Sequence, residues 1–405
     1  MALDIPTRHG IHLEQAKAIA SPLLWCIDDK QAAEPSQQGW LSLGNALNQG
    51  DPLADDLVRW MAAQGMSNGW KQFDLALSGD CSQSAEPIDA FMKSVKSAPK
   101  WLDHRKVERG LAVSARSGKT GMRVLRDFGL MAGYQASAIN QTLVKTGALE
   151  KGAAKRVAET TKWWMDCTEP GGLSPDGAGF KTTLRVRVIH AMVRANLSRR
   201  EDWDHGYYGL PINQLDMQVT YLAFSVMFLL GQRLLGVSIN QQDADDVMHL
   251  WRYIGWLMGV NDSLLVCSEQ EGRAALYRNL LSQATADETS KQLGRALMDE
   301  PLGRHYPNFQ WLRSRWDKHV HLSIIRFFVG RRGMKALGLP IWTLPWYPLI
   351  FSPLNFLVQN IVRRLPRGND FLAQRGRQAQ AAQLRIMFGN QRPDIINKSN
   401  IKAAD

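Results

Sequence analysis

The spacing of apolar residues is the feature of this 405-residue chain that most restricts its fold. Asp51 and Pro52 form an N-cap followed by a first-turn proline. Behind them Leu53, Leu57 and Met61 recur at intervals that place them on one helix face. Runs that alternate Val, Ile and Thr with polar residues, which would indicate strands, are essentially missing. The pattern predicts an all-α protein.

The same spacing locates further helices and a domain plan. Helices are predicted near 149–164, 182–197, 213–235, 241–258 and 269–282, with the clearest loop at 171–179, GGLSPDGAG. The length allows two or three domains at roughly 150 residues each, but it equally permits one large helical domain. We predict such a domain over 41–362, preceded by an extension over 1–40 and followed by a basic tail over 363–405.

Composition excludes several classes of protein. With 45% hydrophobic residues and a net charge of +11, the chain is neither disordered nor of low complexity. Basic residues are mixed with acidic ones until the tail, so a solvated basic surface is favoured and no nucleic-acid partner is expected. Four scattered cysteines without a CxxC pair argue against structural zinc and for a reducing compartment. The N-terminus lacks a basic, apolar leader, so we expect a cytoplasmic protein without a signal peptide.

Two short motifs suggest chemistry that their surroundings do not support. The segment 65–69, GMSNG, matches the nucleophile-elbow pattern, but a helix rather than a strand precedes it. We therefore predict a helix-capping loop there. The segment 117–120, SGKT, resembles the end of a phosphate-binding loop. That pattern requires glycine where Val113 stands, and a strand before it, so we do not predict a nucleotide site.

The predicted helix over 182–197 carries the most specific pattern. At 100° per residue, Arg187, His190 and Arg194 share a stripe about 60° wide, with apolar residues on both sides. Two arginines in an apolar helix surface require anionic partners, because an isolated buried charge is costly. Haem fits the set, with His190 as iron ligand and the two arginines on the propionates. The alternative is two buried salt bridges and a hydrogen-bonded core histidine.

A second group of residues lies on the preceding helix. Arg156 and Thr160 are four positions apart and so share a face, and Glu159 lies beside them. Trp163 and Trp164 follow directly. An arginine, a hydroxyl and a carboxylate near aromatic rings would suit the polar edge of an oxygen-activating pocket. The alternative is an amphipathic helix with an Arg–Glu surface pair.

The stretch Leu339 to Val358 is rich in proline and tryptophan. Its four prolines argue against a continuous membrane-spanning helix. The rings of Trp342, Trp346 and Tyr347 and the basic residues that follow, Arg363, Arg364 and Arg367, suit the interface of an anionic membrane. We predict peripheral membrane contact over 339–367. The alternative is a C-terminal segment that wraps over the core.

Taken together, these segments resemble the latex-clearing rubber oxygenases and the related oxygenase that trims the prenyl side chain in mycophenolic acid synthesis. The resemblance runs from about Asp51 to beyond Asn355 and rests on the order of several motifs. They are DPLADDLVRWM, APKWLDHRKVERG, LRVRVIHAMVR (184–194), GLPINQLDMQVTYLAFS and WRYIGWLMGV.

The resemblance implies a globin-like helical core that holds haem b, with His190 as the proximal iron ligand. It also places Arg156 and Thr160 on the distal side. It further implies cleavage of isoprenoid carbon–carbon double bonds with dioxygen. This chain departs from the latex-clearing enzymes at Glu159, where they carry a lysine, and their distal acid has no clear counterpart here.

The sequence therefore predicts a haem b-dependent oxygenase that acts with dioxygen on an apolar, isoprenoid or lipid-like small molecule. We predict that Arg156, Glu159 and Thr160 are catalytic, and that His190, Arg187 and Arg194 bind the cofactor. Two alternatives stay open: a haem protein that binds ligands without turnover, and a membrane-peripheral helical protein without haem.

Overall fold

The structure, a computed structural model, describes residues 4–80, 85–147 and 152–389. Within these ranges the chain forms helices and no strand, so the all-α prediction is confirmed. The longer helices are α1 (Leu13–Ala20), α2 (Gln37–Ala46), α3 (Pro52–Ala63), α4 (Met66–Leu77), α5 (Glu86–Lys96), α6 (His104–Arg116), α7 (Gly118–Val124), α8 (Ser137–Lys145), α9 (Ala153–Cys167), α10 (Ala178–Leu197), α11 (Gln214–Leu222), α12 (Phe228–Leu234), α13 (Gln241–Leu257), α14 (Glu269–Leu281), α15 (Glu288–Asp299), α16 (Gln310–Ala336), α17 (Trp346–Arg363) and α18 (Gly368–Phe388).

Local sequence signals determine where several of these helices begin. The Asp51 side chain accepts a hydrogen bond from the backbone of Ala54, and Pro52 occupies the first turn of α3, as predicted. Gly65, with φ +82°, caps α4 as predicted, but residues 66–69 are the first turn of that helix rather than a loop. Helix α10 begins at Ala178, a few residues before the predicted start, because the last part of the glycine-rich loop already joins the helix.

Two helices contain π-helical turns that the sequence patterns do not predict. One spans Leu125–Leu130 and follows α7, and the other spans Ala223–Met227 and joins α11 to α12. The two segments pack against each other. A π-helical turn widens a helix locally and is frequent at functional sites.

Helix α10 lies at the centre of the main core. It packs against α3 on one side and against α9 and α13 on others, while α13 runs along α6. The core of large buried side chains includes Phe73, Phe91, Trp164, Phe228 and Trp251. Helix α10, which carries the Arg187, His190 and Arg194 stripe, is thus held between α3, α9 and α13.

Both predicted ends of the chain contact this core. Helix α1 packs on α14, and Arg8, 1% exposed, donates hydrogen bonds to Asp216 at 2.8 Å. At the other end α18 packs on α6, α7 and α9. The predicted basic tail therefore contains a long packed helix, and its part beyond Gly389 lies outside the described residues. The domain boundaries stay predictions.

Helix α17 tolerates two of the four prolines. It begins at Trp346, Pro348 falls in its first turn and Pro353 lies inside it. Among the described residues, no helix combines the length and the apolar character that crossing a membrane requires.

Candidate functional site

A large cavity of about 1130 Å³ lies beside α10. Its walls come from α9, α10, α11, α12 and α13 and from both π-helical segments. Lining residues include Leu125, Phe128, Arg156, Glu159, Thr160, Trp163, Val186, Ile189, His190, Phe224, Met227, Leu230, Trp251 and Ile254. A mainly apolar cavity with a few polar groups is typical of small-molecule sites.

His190 is the residue through which α10 presents a polar group to the cavity. Its Nδ1 is buried and has no hydrogen-bond partner among the described residues, although buried polar atoms are nearly always paired. Burial and the nearby charge of Arg194 lower the pKa of His190 to about 4, and Asp51 opposes this shift. The imidazole is therefore neutral at physiological pH, and its lone pair can bind a metal.

The structure places Arg187 and Arg194 away from the cavity wall, on carboxylates of the Asp51–Asp55 segment. Arg187 donates to both oxygens of Asp51 at 2.6 and 2.9 Å. Arg194 pairs with Asp55 at 2.7 Å and donates to the carbonyl of Ile212 at 2.9 Å. For the arginines, the geometry favours buried salt bridges over contact with propionates. For His190, whose Nδ1 has no hydrogen-bond partner among the described residues, it does not favour a hydrogen-bonded core histidine.

A glycine lies against each of these ion pairs. A Cβ on Gly259, which has φ +85°, would lie 2.3 Å from Asp51 Oδ2 and 2.6 Å from Arg187 Nε. A Cβ on Gly50 would lie 2.7 Å from an Asp55 oxygen. Real Cβ atoms do not approach other atoms so closely. A side chain at either glycine would therefore collide with the ion pair beside it.

Helix α9 brings Arg156, Glu159 and Thr160 together on the cavity wall. Glu159 also lies within 3.9 Å of the Lys155 ammonium. Arg156 lies beside the Tyr134 hydroxyl: burial raises the pKa of that hydroxyl, and the charge of Arg156 opposes the rise. A side-chain hydrogen bond from Arg156 lowers that pKa as well, and among the described residues Arg156 makes no ion pair.

Aromatic rings form much of the remaining wall. Phe224 stacks on Trp251 with centroids 4.8 Å apart, and Trp163 meets both rings edge-on. The indole nitrogen of Trp163 donates to Thr183, whereas those of Trp164 and Trp251 have no partner in the described residues. Sequence reasoning missed Phe224 and Trp251 as site residues. The fourteen tryptophans were the signal for a large aromatic surface.

The residues present fit a haem group. Among the described residues no three His, Cys, Asp or Glu side chains come together as a metal-binding cluster. Haem iron needs only one protein ligand, because the macrocycle supplies four nitrogens. A neutral, unpartnered histidine on the wall of a large apolar cavity meets that need. The protein is therefore helical, with His190 on the wall of a large, mainly apolar cavity.

Comparison with known proteins agrees with this class. The chain belongs to the family described as ER-bound oxygenase mpaB/B′/rubber oxygenase, catalytic domain, whose family model matches residues 122–348. A rubber oxygenase of Streptomyces sp. (strain K30) is 27% identical over 210 residues. That alignment covers 50% of this chain and 50% of the relative, so the chain spans about half the length of the curated relative that it matches.

A solved structure has the same fold. The closed-state structure of the latex clearing protein LCP matches with a TM-score of 0.59 over 83% of this chain and 91% of that chain, at 19% identity. The all-α fold class predicted from the sequence is thus confirmed, as is the family that the motifs indicated, whereas the globin-like core stays a prediction. The roles of the individual site residues stay predictions.

Proposed function

We propose that this protein is a haem b-dependent oxygenase that cleaves or oxidises a carbon–carbon double bond of an apolar, isoprenoid or lipid-like substrate with dioxygen. The observation that carries the proposal is His190, a neutral imidazole without a protein partner on the wall of a cavity of about 1130 Å³. The family, whose members are described as oxygenases, supports the reaction type. The apolar cavity wall supports the substrate class.

Haem, when bound, supplies a redox-active iron that activates dioxygen. His190 would hold the iron through its imidazole, and the aromatic rings of Trp163, Phe224 and Trp251 exclude water and pack against the apolar substrate. A dry site strengthens every polar interaction inside it.

The polar residues of α9 act at the reacting end of the substrate. Arg156 and Thr160 donate hydrogen bonds to oxygen atoms in the cavity, where they stabilise negative charge that develops there. Glu159 accepts a proton or orients Arg156, since a carboxylate beside this guanidinium is suited to either task. The Lys155 ammonium, 3.9 Å from Glu159, adds a second positive charge beside that carboxylate.

The cofactor assignment is tested by the absorption spectrum of purified variants. The parent protein should show a Soret band stoichiometric with protein. His190→Ala should lose the haem while far-ultraviolet circular dichroism is largely retained. The matched control is His319→Ala, because His319 is an exposed histidine outside the cavity. A His190→Ala protein with full haem and an unchanged spectrum would contradict the assignment.

Oxygen consumption separates an oxygenase from a haem protein that only binds ligands. Squalene and short polyisoprenes are suitable probes, and the products should carry new carbonyl groups. A haem-loaded protein that consumes no oxygen with any unsaturated chain, but binds these chains, would favour the ligand-binding alternative.

We also propose that α17 and the turn before it contact an anionic membrane surface. Helix α17 packs on α16 and α18 yet leaves a row of large apolar side chains more than half exposed: Leu349, Ile350, Leu354, Phe356, Leu357, Val358 and Ile361. Trp342 before the helix is 78% exposed, and Arg331 lies over its ring. An apolar patch of this extent is unusual on a protein surface that faces only water.

The charges around this row suit anionic headgroups. Arg364 and Arg367 are exposed at the end of α17, and Arg331 and Arg332 are exposed near Trp342. Arg363 was predicted to face the headgroups, but it faces the protein. It donates hydrogen bonds to Asp243 at 3.0 Å and to Ser238. Trp346 and Tyr347 also pack on the core rather than facing outwards.

Co-sedimentation with phosphatidylserine-containing vesicles tests the membrane contact. The protein should bind at low salt and dissociate as salt rises, because screening weakens the attraction between arginines and headgroups. Leu354→Ser combined with Leu357→Ser should abolish binding, while Leu75→Ser, at an exposed leucine elsewhere, should leave it unchanged. No binding at low salt would remove the membrane proposal and favour a segment that only covers the core.

A further inference from the structure

A second, polar pocket adjoins the main cavity. Its volume is about 30 Å³, room for about two water molecules. The helices that form it are chiefly α7, α9, α16 and α18. Its lining residues are Lys119, Met122, Arg123, Arg126, Val157, Thr161, Arg304, Asp317, His321, Gln383 and Met387. Four of them, Met122, Arg126, Val157 and Thr161, also line the main cavity, so the two spaces share a wall.

Two of the cations in this pocket are neutralised by the protein. Arg126 and Arg304 both donate to Glu300, at 2.9 and 2.8 Å. Arg126 also pairs with Asp127, and Arg304 with Asp317. His321, hydrogen-bonded to Asp127 at 2.7 Å, adds no charge, because burial and the nearby arginines lower its pKa well below the usual value. The buried acids are thus occupied by these partners.

Lys119 and Arg123 are left without an ion pair among the described residues. They are four positions apart on α7, where two like charges repel each other. Arg123 donates to the Tyr347 hydroxyl and lies over its ring, a contact that leaves its positive charge uncompensated. Lys119 is exposed overall, yet desolvation and the neighbouring arginines lower its pKa, and Asp317 opposes this shift. An anion in the pocket would relieve this repulsion.

We propose that the polar pocket binds the carboxylate end of a substrate whose apolar chain occupies the main cavity. The inference rests on the proposed function for the position of the chain, and it adds an acidic head group to the substrate class. A carboxylate presents two oxygens, which match the room for two waters, and both accept charge-assisted hydrogen bonds from an ammonium and a guanidinium. Val157 and Thr161 line both spaces, so the proposed molecule would pass beside these two side chains.

Isothermal titration calorimetry tests the proposal. The purified protein is titrated separately with octanoate, 1-octanol and acetate. Octanoate should bind at least about tenfold more tightly than either of the others, because only octanoate uses both spaces. Lys119→Met and Arg123→Met should each weaken octanoate about tenfold or more and leave 1-octanol unchanged. Lys119→Arg should retain most of the affinity, and Lys291→Met, at a surface pair with Glu288, is the control.

Each other outcome overturns the proposal in a recognisable way. Equal affinities for octanoate and 1-octanol would show that the pocket does not select a charged end. Acetate as tight as octanoate would indicate a site for small free anions only, and no binding of octanoate would remove the head-group site altogether. The haem spectrum of the same preparation is an independent result, so failure of the cofactor assignment and failure of the carboxylate site can be told apart.

Discussion

Helices α9 and α10 line the same cavity, but their charged side chains lie in different places. On α10, Arg187 and Arg194 are held by Asp51 and Asp55, and His190 is the polar side chain of the helix that lines the cavity. On α9, Arg156 and Glu159 themselves line the cavity. The difference indicates that the charges of α10 fix the helix in place, whereas those of α9 are exposed to whatever the cavity holds. Substitutions on α10 arginines should affect stability, and substitutions on α9 should affect turnover.

The largest expected effect is the loss of the Arg187–Asp51 pair. Arg187→Leu should lower the free energy of unfolding by about 3–5 kcal/mol, because it leaves a buried carboxylate without its partner. Arg194→Leu should lower the free energy of unfolding by less, because Asp55, the partner of Arg194, is 30% exposed and can be hydrated. Chemical denaturation followed by circular dichroism measures both.

Two comparisons make this result specific. Asp51→Asn combined with Arg187→Leu should recover part of the loss, because asparagine removes the stranded charge yet can still cap α3. Arg200→Leu, at an exposed pair with Asp202, should change stability by no more than about 1 kcal/mol. If Arg187→Leu released haem at nearly unchanged stability, the guanidinium would serve the cofactor and the contrast between the helices would disappear.

A smaller energetic effect, confined to turnover, is expected for Glu159→Gln. Removing a proton acceptor while keeping its shape should slow turnover about 100-fold, the usual scale of general acid–base catalysis. The free energy of unfolding should change by no more than about 0.5 kcal/mol, as for most substitutions away from a packed core. Glu288→Gln, at a surface pair on α15, is the control. Full turnover with an unchanged ferrous-ligand spectrum would show that the carboxylate has no role in the cavity.

The smallest expected effect is that of Thr160→Ala. Loss of one neutral hydrogen bond corresponds to about 1 kcal/mol, so turnover should fall about fivefold. Thr160→Ser keeps the hydroxyl and should restore the parent rate. If the serine variant is as slow as the alanine variant, the methyl group rather than the hydroxyl matters, and Thr160 belongs to the apolar wall.

Local signals predicted much of the fold. The N-cap at Asp51, the predicted helices that became α10, α13 and α14, and the loop before α10 all follow from the chemistry of neighbouring residues. The stripe on α10 likewise placed His190 between two arginines. Helix periodicity is a property of a few consecutive turns, so a single sequence reveals it.

Long-range pairing decided the rest. The partners of Arg187 and Arg194 are 136 and 139 positions away on the chain, and nothing in the local pattern distinguishes Asp51 and Asp55 from a ligand's carboxylates. The π-helical turns near Phe128 and Phe224 and the polar pocket beside Lys119 also arise only when distant helices pack. The sequence by itself determined which residues lie on each helix face, because that depends on backbone geometry alone. Tertiary structure decided which face meets a carboxylate, a ring or an open cavity, because those contacts depend on how segments far apart in the chain are brought together.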